Sequence, residues 1–233
     1  PNTGLIGDNL EDKKEVAVSI SNRDFQDVIN KEKDVFVLDA REDEEYEIGQ
    51  FPESHHIRFA DLVAGEWKNL PKDQTVYVFC WSGIRGKEVA DFLRSKKINA
   101  RYLIKGASDW VAFGGKWAGG INFSSKYGAN QYQKLFSTEE VKKQMADGVV
   151  LVDSRPQSKF EKKHVNGSLN IPMIYTPSSE IASALNKIPA GKSVITVCDD
   201  FVSCFDAKIT GVKVEKLNHT FLGRYNSPWE YQN

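Results

Sequence analysis

The chain repeats itself, and no other feature restricts its fold so tightly. The segment VFVLDAREDEEYEIGQFPESHHI, residues 35–57, aligns with VVLVDSRPQSKFEKKHVNGSLNI, residues 149–171, at an offset of 114. Asp39, Arg41, Ser54 and Ile57 then face Asp153, Arg155, Ser168 and Ile171. Two flanking blocks keep the same order. Upstream, ISNRDFQDVI (20–29) and FSTEEVKKQM (136–145) each open with a serine followed three residues later by an acid, Ser21 with Asp24 and Ser137 with Glu140. That spacing predicts a capped helix start. Apolar residues follow at helical spacing: Phe25, Val28 and Ile29 in one, Val141 and Met145 in the other. Downstream, TVYVFC (75–80) matches SVITVC (193–198).

Three matched blocks in one order define two homologous domains, residues 1–122 and 123–233. A chain of 233 residues divides naturally into two units of ordinary domain size. The join falls within GGKWAGGINFSSKYGANQ (114–131), rich in glycine and without apolar period, which reads as a linker. Its aromatic residues Trp117, Phe123 and Tyr127 point to a segment packed over a domain surface.

Within each repeat the order reads helix, strand, helix, loop, strand ending in cysteine, helix, strand, helix. The strands VFVLDA, VYVFC and ARYLI are continuous apolar runs, as expected of a parallel sheet buried on both faces. The fold class is therefore α/β, each domain a parallel β-sheet flanked by helices on both faces. In such folds ligands bind at the carboxyl ends of strands, where Cys80 and Cys198 stand.

Composition narrows the function. A net charge of −1 argues against nucleic-acid partners. No run of eighteen apolar residues occurs, so no membrane span is expected. Three cysteines (Cys80, Cys198, Cys204) do not make a disulfide framework. None of the four histidines stands with a cysteine at metal-ligand spacing, so no metal is expected. The first residue is Pro1 and the leader PNTGLIGDNLEDKKE is polar and acidic; together they point toward an exported, periplasmic bacterial protein, with a cytoplasmic one as the alternative. The oligomeric state stays open.

In FCWSGIRGKEVADFLRSKK (79–97), Cys80 ends a strand and helix-forming sequence begins near Arg85, with Val89, Ala90 and Leu93 as its apolar face. A tight loop feeding a helix start turns backbone N–H groups inward and makes an anion cradle. A thiol at its base is expected as the thiolate, the nucleophilic form, with Arg85 a positive charge at the rim. The bland readings are a buried core thiol for Cys80, an exposed helix charge for Arg85, an ordinary turn for Gly83 and packing for Trp81. Gly83 and Arg85 together favour the cradle.

These motifs resemble the rhodanese superfamily, twice, over nearly the whole chain. The second repeat carries the amino-side signature most fully, with Asp153, Arg155, Phe160, His164, Gly167, Ser168, Asn170, Ile171 and Pro172. The first keeps Asp39, Arg41, Tyr46, Gly49, Pro52 and Ser54 but departs at Gln50 and Glu53, where the family usually has His and Gly. CWSGIRG looks like the catalytic loop of active single-domain rhodaneses, and YLIKGASDW, with Gly106 and Trp110, resembles the family's closing stretch. The resemblance implies sulfur transfer from thiosulfate, a polysulfide or mercaptopyruvate to cyanide or a thiol through a Cys80 persulfide, with no cofactor beyond that covalent intermediate. Its partners would be small sulfur-containing anions and thiol acceptors. Cys80 and Arg85 would be catalytic, and Trp81, Ser82, Gly83, Ile84, Gly86 and Arg58 would bind substrate. Related phosphatases have five residues between cysteine and arginine; here Trp81 to Ile84 is four, which disfavours phosphatase or arsenate reductase activity. A non-catalytic binding or regulatory module is the alternative from another class.

The second loop, CDDFVSC, runs from Cys198 to Cys204 and places Asp199 and Asp200 where Trp81 and Ser82 stand, and Ser203 where Arg85 stands. Carboxylates beside a thiol raise its pKa and repel anions. The second domain then reads as a degenerate partner completing the cleft, as a second sulfurtransferase, or as a redox pair of Cys198 with a resolving Cys204. Two-domain thiosulfate sulfurtransferases normally keep the active cysteine in the second domain, so this chain departs from them. Asp39/Arg41 and Asp153/Arg155 read as fold-holding pairs. Arg58 reads as a solvated charge or a group facing the site, His55, His56 and His164 as structural or surface residues, and EDEEYE (42–47) as the solvated face of a helix.

Overall fold

The computed structural model describes residues 18–122, 127 and 132–226. In the first domain, strands β1 (Ser19–Ile20), β2 (Phe36–Asp39), β4 (His55–His56), β5 (Val76–Phe79) and β6 (Ala100–Leu103) form a parallel sheet of order β1-β6-β5-β2-β4. Helices α1 (Asn22–Lys31), α2 (Asp43–Tyr46), α3 (Phe59–Ala64), α4 (Ile84–Ser95) and α5 (Gly106–Ala112) connect them. The second domain repeats the scheme with β8 (Val150–Asp153), β9 (Leu169–Asn170), β10 (Ser193–Val197) and β11 (Thr220–Tyr225) in the parallel order β11-β10-β8-β9. Its helices are α6 (Thr138–Ala146), α7 (Gln157–Lys162), α8 (Ser178–Leu185) and α9 (Phe201–Lys216). The helix expected after its last strand falls beyond the described residues.

Both sheets are buried on both faces, and strand alternation explains how. In β2 and β5, Leu38, Val76 and Val78 join one core with Val89 and Leu93 of α4. Val37, Tyr77 and Phe79 join another with Phe25 of α1 and Trp110 of α5. In the second domain Val152 and Val194 pack with Ile209 and Val212 of α9, while Leu151, Ile195 and Val197 pack with Val141 of α6. Each such side chain contributes about 1.5–3 kcal/mol when fully buried. Both capped helix starts form: Ser21 Oγ accepts from Asp24 N at 3.1 Å, and Ser137 and Glu140 make a reciprocal capping box.

Where it is described, the linker packs on the first domain. Strand β7 (Ala118–Gly119) pairs antiparallel with β3 (Gly49–Gln50), Trp117 lies 5.0 Å from the Arg41 guanidinium, and Tyr127 donates to Glu47. Phe123 and the acidic leader lie outside the described residues. No helix among the described residues is long and apolar enough to cross a membrane.

The acidic run 42–47 is not a solvated face. Glu42, Glu44 and Glu45 are at most 1% exposed, Glu42 and Glu45 against Arg58 and Arg85 and Glu44 against the second domain, while Glu47 stays exposed. Lys213 and Lys216 of α9 both bond Glu44. Arg58, 1% exposed, is not a solvated charge either. Its Nε bonds Glu42 at 2.7 Å, and its guanidinium donates to the Met173 and Thr176 carbonyls of the other domain. Arg58 therefore ties the domains together. Asp39 and Arg41 hold one another in a fork, with Arg41 also reaching the Gly49 carbonyl, and Arg155 repeats this with Asp153 and the Lys163 carbonyl. These pairs brace the turn after the strand, the structural role their spacing suggests.

Candidate active site

Cys80 follows β5 and is the free cysteine of the chain. The loop folds back over it, and the Gly83 amide donates to its Sγ at 3.0 Å. Gly83 caps α4 with φ 89°, and a Cβ there would lie 2.0 Å from the Ile104 carbonyl; only glycine fits this turn. The start of α5 braces the loop from below: Ala107 N bonds the Cys80 carbonyl and Ser108 Oγ bonds that of Trp81. The Gly86 amide also faces the sulfur. Cys80, Gly83, Arg85 and Gly86 are thus assembled around one atom.

The electrostatics differ from the expected cradle in two respects. Cys80 is 1% exposed, and burial pushes its thiol up, against the pull of the Arg85 charge and of the Gly86 and Gly83 amides. Arg85 does not stand at the rim. It is buried, with Nη2 2.9 Å from Glu45 Oε2 and Nη1 3.7 Å from Glu42 Oε1. Glu42 itself is raised to about 7, chiefly by burial and in spite of Arg58 and Arg85. Asp206 of α9, fully buried, is held well above the ordinary carboxylate range by burial and by Glu42. The buried acids Glu42, Glu45 and Asp206 were hidden from sequence reasoning because acids are read as exposed by default.

The second domain covers the loop. Trp81 stacks on Phe205 at 6.0 Å, and Arg85 lies 5.9 Å from the same ring. The crevice there, bounded by Trp81, Ser82, Ile84, Phe201 and Phe205, holds about 10 Å³, roughly one water's room. It adjoins a cavity of about 140 Å³ bounded by Ile84, Glu88, Tyr175, Asp200 and Val202. Two wider depressions, of about 620 and 850 Å³, include neither cysteine loop. Arg58 borders the first of these, apart from the Cys80 crevice.

The second loop is built otherwise. Cys198 and Cys204 form a disulfide, with Cα atoms 4.8 Å apart. The amides of Asp199 and Asp200 both donate to Ser203 Oγ at 3.1 Å, so the serine standing in place of Arg85 occupies the donors that would face a bound atom. Lys159 pairs with both aspartates at 3.0 and 2.6 Å. Among the described residues no group of three or more His, Cys, Asp or Glu could hold a metal.

The sequence model of the rhodanese-like domain matches the chain twice, over residues 21–113 and 137–219. The chain belongs to the rhodanese-like domain family, in tandem form. It is 29% identical over 91 residues to the putative sulfurtransferase YtwF of Bacillus subtilis, covering 39% of this chain and 87% of that protein. It is 27% identical over 106 residues to tRNA uridine(34) hydroxylase of Onion yellows phytoplasma, covering 43% of this chain and 34% of that one. The chain thus spans about a third of the length of the phytoplasma relatives. Among solved structures it is similar to thiosulfate sulfurtransferase from Pseudomonas aeruginosa, at 18% identity, 89% of this chain, 42% of that chain and a TM-score of 0.41. It is also similar to a rhodanese-like domain protein from Staphylococcus aureus, at 26% identity, 40% and 91% coverage and a TM-score of 0.38.

Proposed function

We propose that this chain is a sulfurtransferase that takes sulfane sulfur from a small donor as a persulfide on Cys80 and passes it to cyanide or a thiol. The observation that carries the reading is the convergence on one sulfur: a free cysteine at a strand end, an amide aimed at it at 3.0 Å, and the guanidinium of the following helix alongside. The Cys80 thiolate attacks the outer sulfur of the donor. A Cys80 S–S bond forms, the donor's own bond to that sulfur breaks, and the leaving group departs with the electron pair. The loop amides then hold the terminal sulfur until an acceptor attacks it. Burial disfavours the thiolate in the closed arrangement, so the reactive form arises when the crevice widens and water reaches Sγ. No cofactor takes part in these steps.

Incubation with polysulfide or thiosulfate followed by intact-mass measurement tests this. One added sulfur atom is expected, absent in Cys80→Ser and present in Cys198→Ser. An adduct that survives in Cys80→Ser would move the site to the second domain. A second reading, a non-catalytic binding module, draws on the near-closed crevice before Cys80; failure of every sulfane donor to add sulfur would favour it.

A further inference from the structure

We infer that the Cys80 cleft selects a sulfane donor with an apolar, aromatic-sized body and no more than one negative charge, such as an arenethiosulfonate, over the thiosulfate dianion. This rests on Cys80 as the sulfur carrier and concerns which donor reaches it.

Two observations carry the inference. The first is charge. Arg85 is the cation at the cleft, and its guanidinium is committed to Glu45 at 2.9 Å and faces Glu42 at 3.7 Å. The adjoining cavity is bordered by Glu88. A dianion entering here meets Glu88 and an Arg85 charge already balanced by Glu45, which costs free energy in a partly desolvated site. The second is the wall. Trp81, Ile84, Ile174, Phe201, Val202 and Phe205 line the crevice. Ile84 and Phe201 are 52% and 61% exposed, among the most exposed large apolar side chains of the molecule. Exposed apolar side chains gathered at a cleft mouth mark a surface that binds apolar matter. The donor's ring takes the place Phe205 holds against Trp81, and its sulfane sulfur reaches Cys80 as the crevice widens.

The transfer balances without oxidant or reductant. Cys80 thiolate attacks the sulfane sulfur of ArSO2–S⁻; the Cys80 S–S bond forms, the S–SO2Ar bond breaks, and the arylsulfinate leaves with the electron pair. Thiosulfate undergoes the same exchange with sulfite leaving, so the two donors differ in charge and body rather than in chemistry.

The test uses the full chain, with benzenethiosulfonate and thiosulfate as donors and cyanide as acceptor. Each kcat/KM is divided by the donor's rate with a free small thiol, which removes intrinsic reactivity. The expected ratio favours benzenethiosulfonate by about tenfold or more, the factor that burial of one aromatic ring supplies. Phe201→Ser, at an exposed position, should reduce that ratio. A ratio at or below one, or a ratio untouched by Phe201→Ser, overturns the selectivity while leaving the Cys80 persulfide standing. If neither donor adds sulfur to Cys80, the carrier reading itself fails and takes the selectivity with it.

Discussion

The two cysteine loops share one scaffold and solve opposite problems. Each follows a buried parallel strand and opens a helix, Cys80 before α4 and Cys198 before α9. In the first, glycines at 83 and 86 leave the sulfur faced by backbone and by Arg85. In the second, Ser203 takes the loop amides, Lys159 neutralises the aspartates and Cys204 takes the sulfur. One loop therefore keeps its sulfur free with an amide aimed at it, and the other ties its sulfur and two of its amides to its own side chains. The contrast lies in what each helix start presents to its cysteine. The helix of the second loop carries Phe201 and Phe205 to the crevice of the first, where Phe205 stacks on Trp81.

The sharpest way to break the contrast is Gly83→Ala. Alanine must adopt φ 89° and place its Cβ against the Ile104 carbonyl, at an expected cost of about 3 kcal/mol or more from strain and backbone displacement. The matching change in the other loop, Asp200→Ala, removes a helix cap whose Oδ1 accepts from Ser203 N at 2.7 Å and should cost about 1 kcal/mol. Urea midpoints of the two variants decide the matter. Equal losses would mean that the Cys80 loop tolerates rearrangement around Gly83.

A somewhat smaller effect comes from Glu42, the acid shared by Arg58 and Arg85. Its folded-state pKa of about 7 lies above the ordinary 4.5, so the folded chain holds this proton more tightly than the unfolded one. The stability this adds is fully present below about 4.5 and is lost as pH rises through about 7. The change is on the order of 3 kcal/mol if Glu42 titrates alone, and less where its charged neighbours titrate with it. Stability measured at intervals from pH 4.5 to 7.5 should show this downward component in the wild type and lose it in Glu42→Gln. An identical slope in both proteins would move the titration to another group of the cluster.

Much of this was legible in the chain before any coordinates. Repetition exposed two domains, continuous apolar runs exposed sheets buried on both faces, and Ser21 and Ser137 announced their helices. Gly83 and Arg85 marked the loop because their chemistry is local. What stayed hidden was tertiary. The run EDEEYE has the composition of a wetted face, and only the arrival of Arg58, Lys213 and Lys216 from distant positions makes its burial possible. Arg58 looked solvated for the same reason. The expected thiolate at Cys80 failed to account for the cover: a sequence shows the amides and the guanidinium but not the helix from the other domain that excludes water. The Cys198–Cys204 bond lay between these cases, since the six-residue spacing permits it without requiring it.

The disulfide offers the finest adjustment of the comparison. It closes a short loop between the end of β10 and the first turn of α9. Constraint of the unfolded chain by a loop of this length contributes about 2 kcal/mol. Cys204→Ser should lower stability by about that amount under oxidising conditions, visible as a lower Tm, and dithiothreitol should bring the wild type down to the level of the variant. Cys80→Ser provides the control, because Cys80 is not bridged and its stability should not respond to reductant through that position. If the wild type ignores dithiothreitol, the ties from Asp200, Ser203 and Lys159 alone hold the start of α9. The second loop would then be closed by polar bonds rather than by the covalent link, and its cover over Cys80 would be independent of redox state.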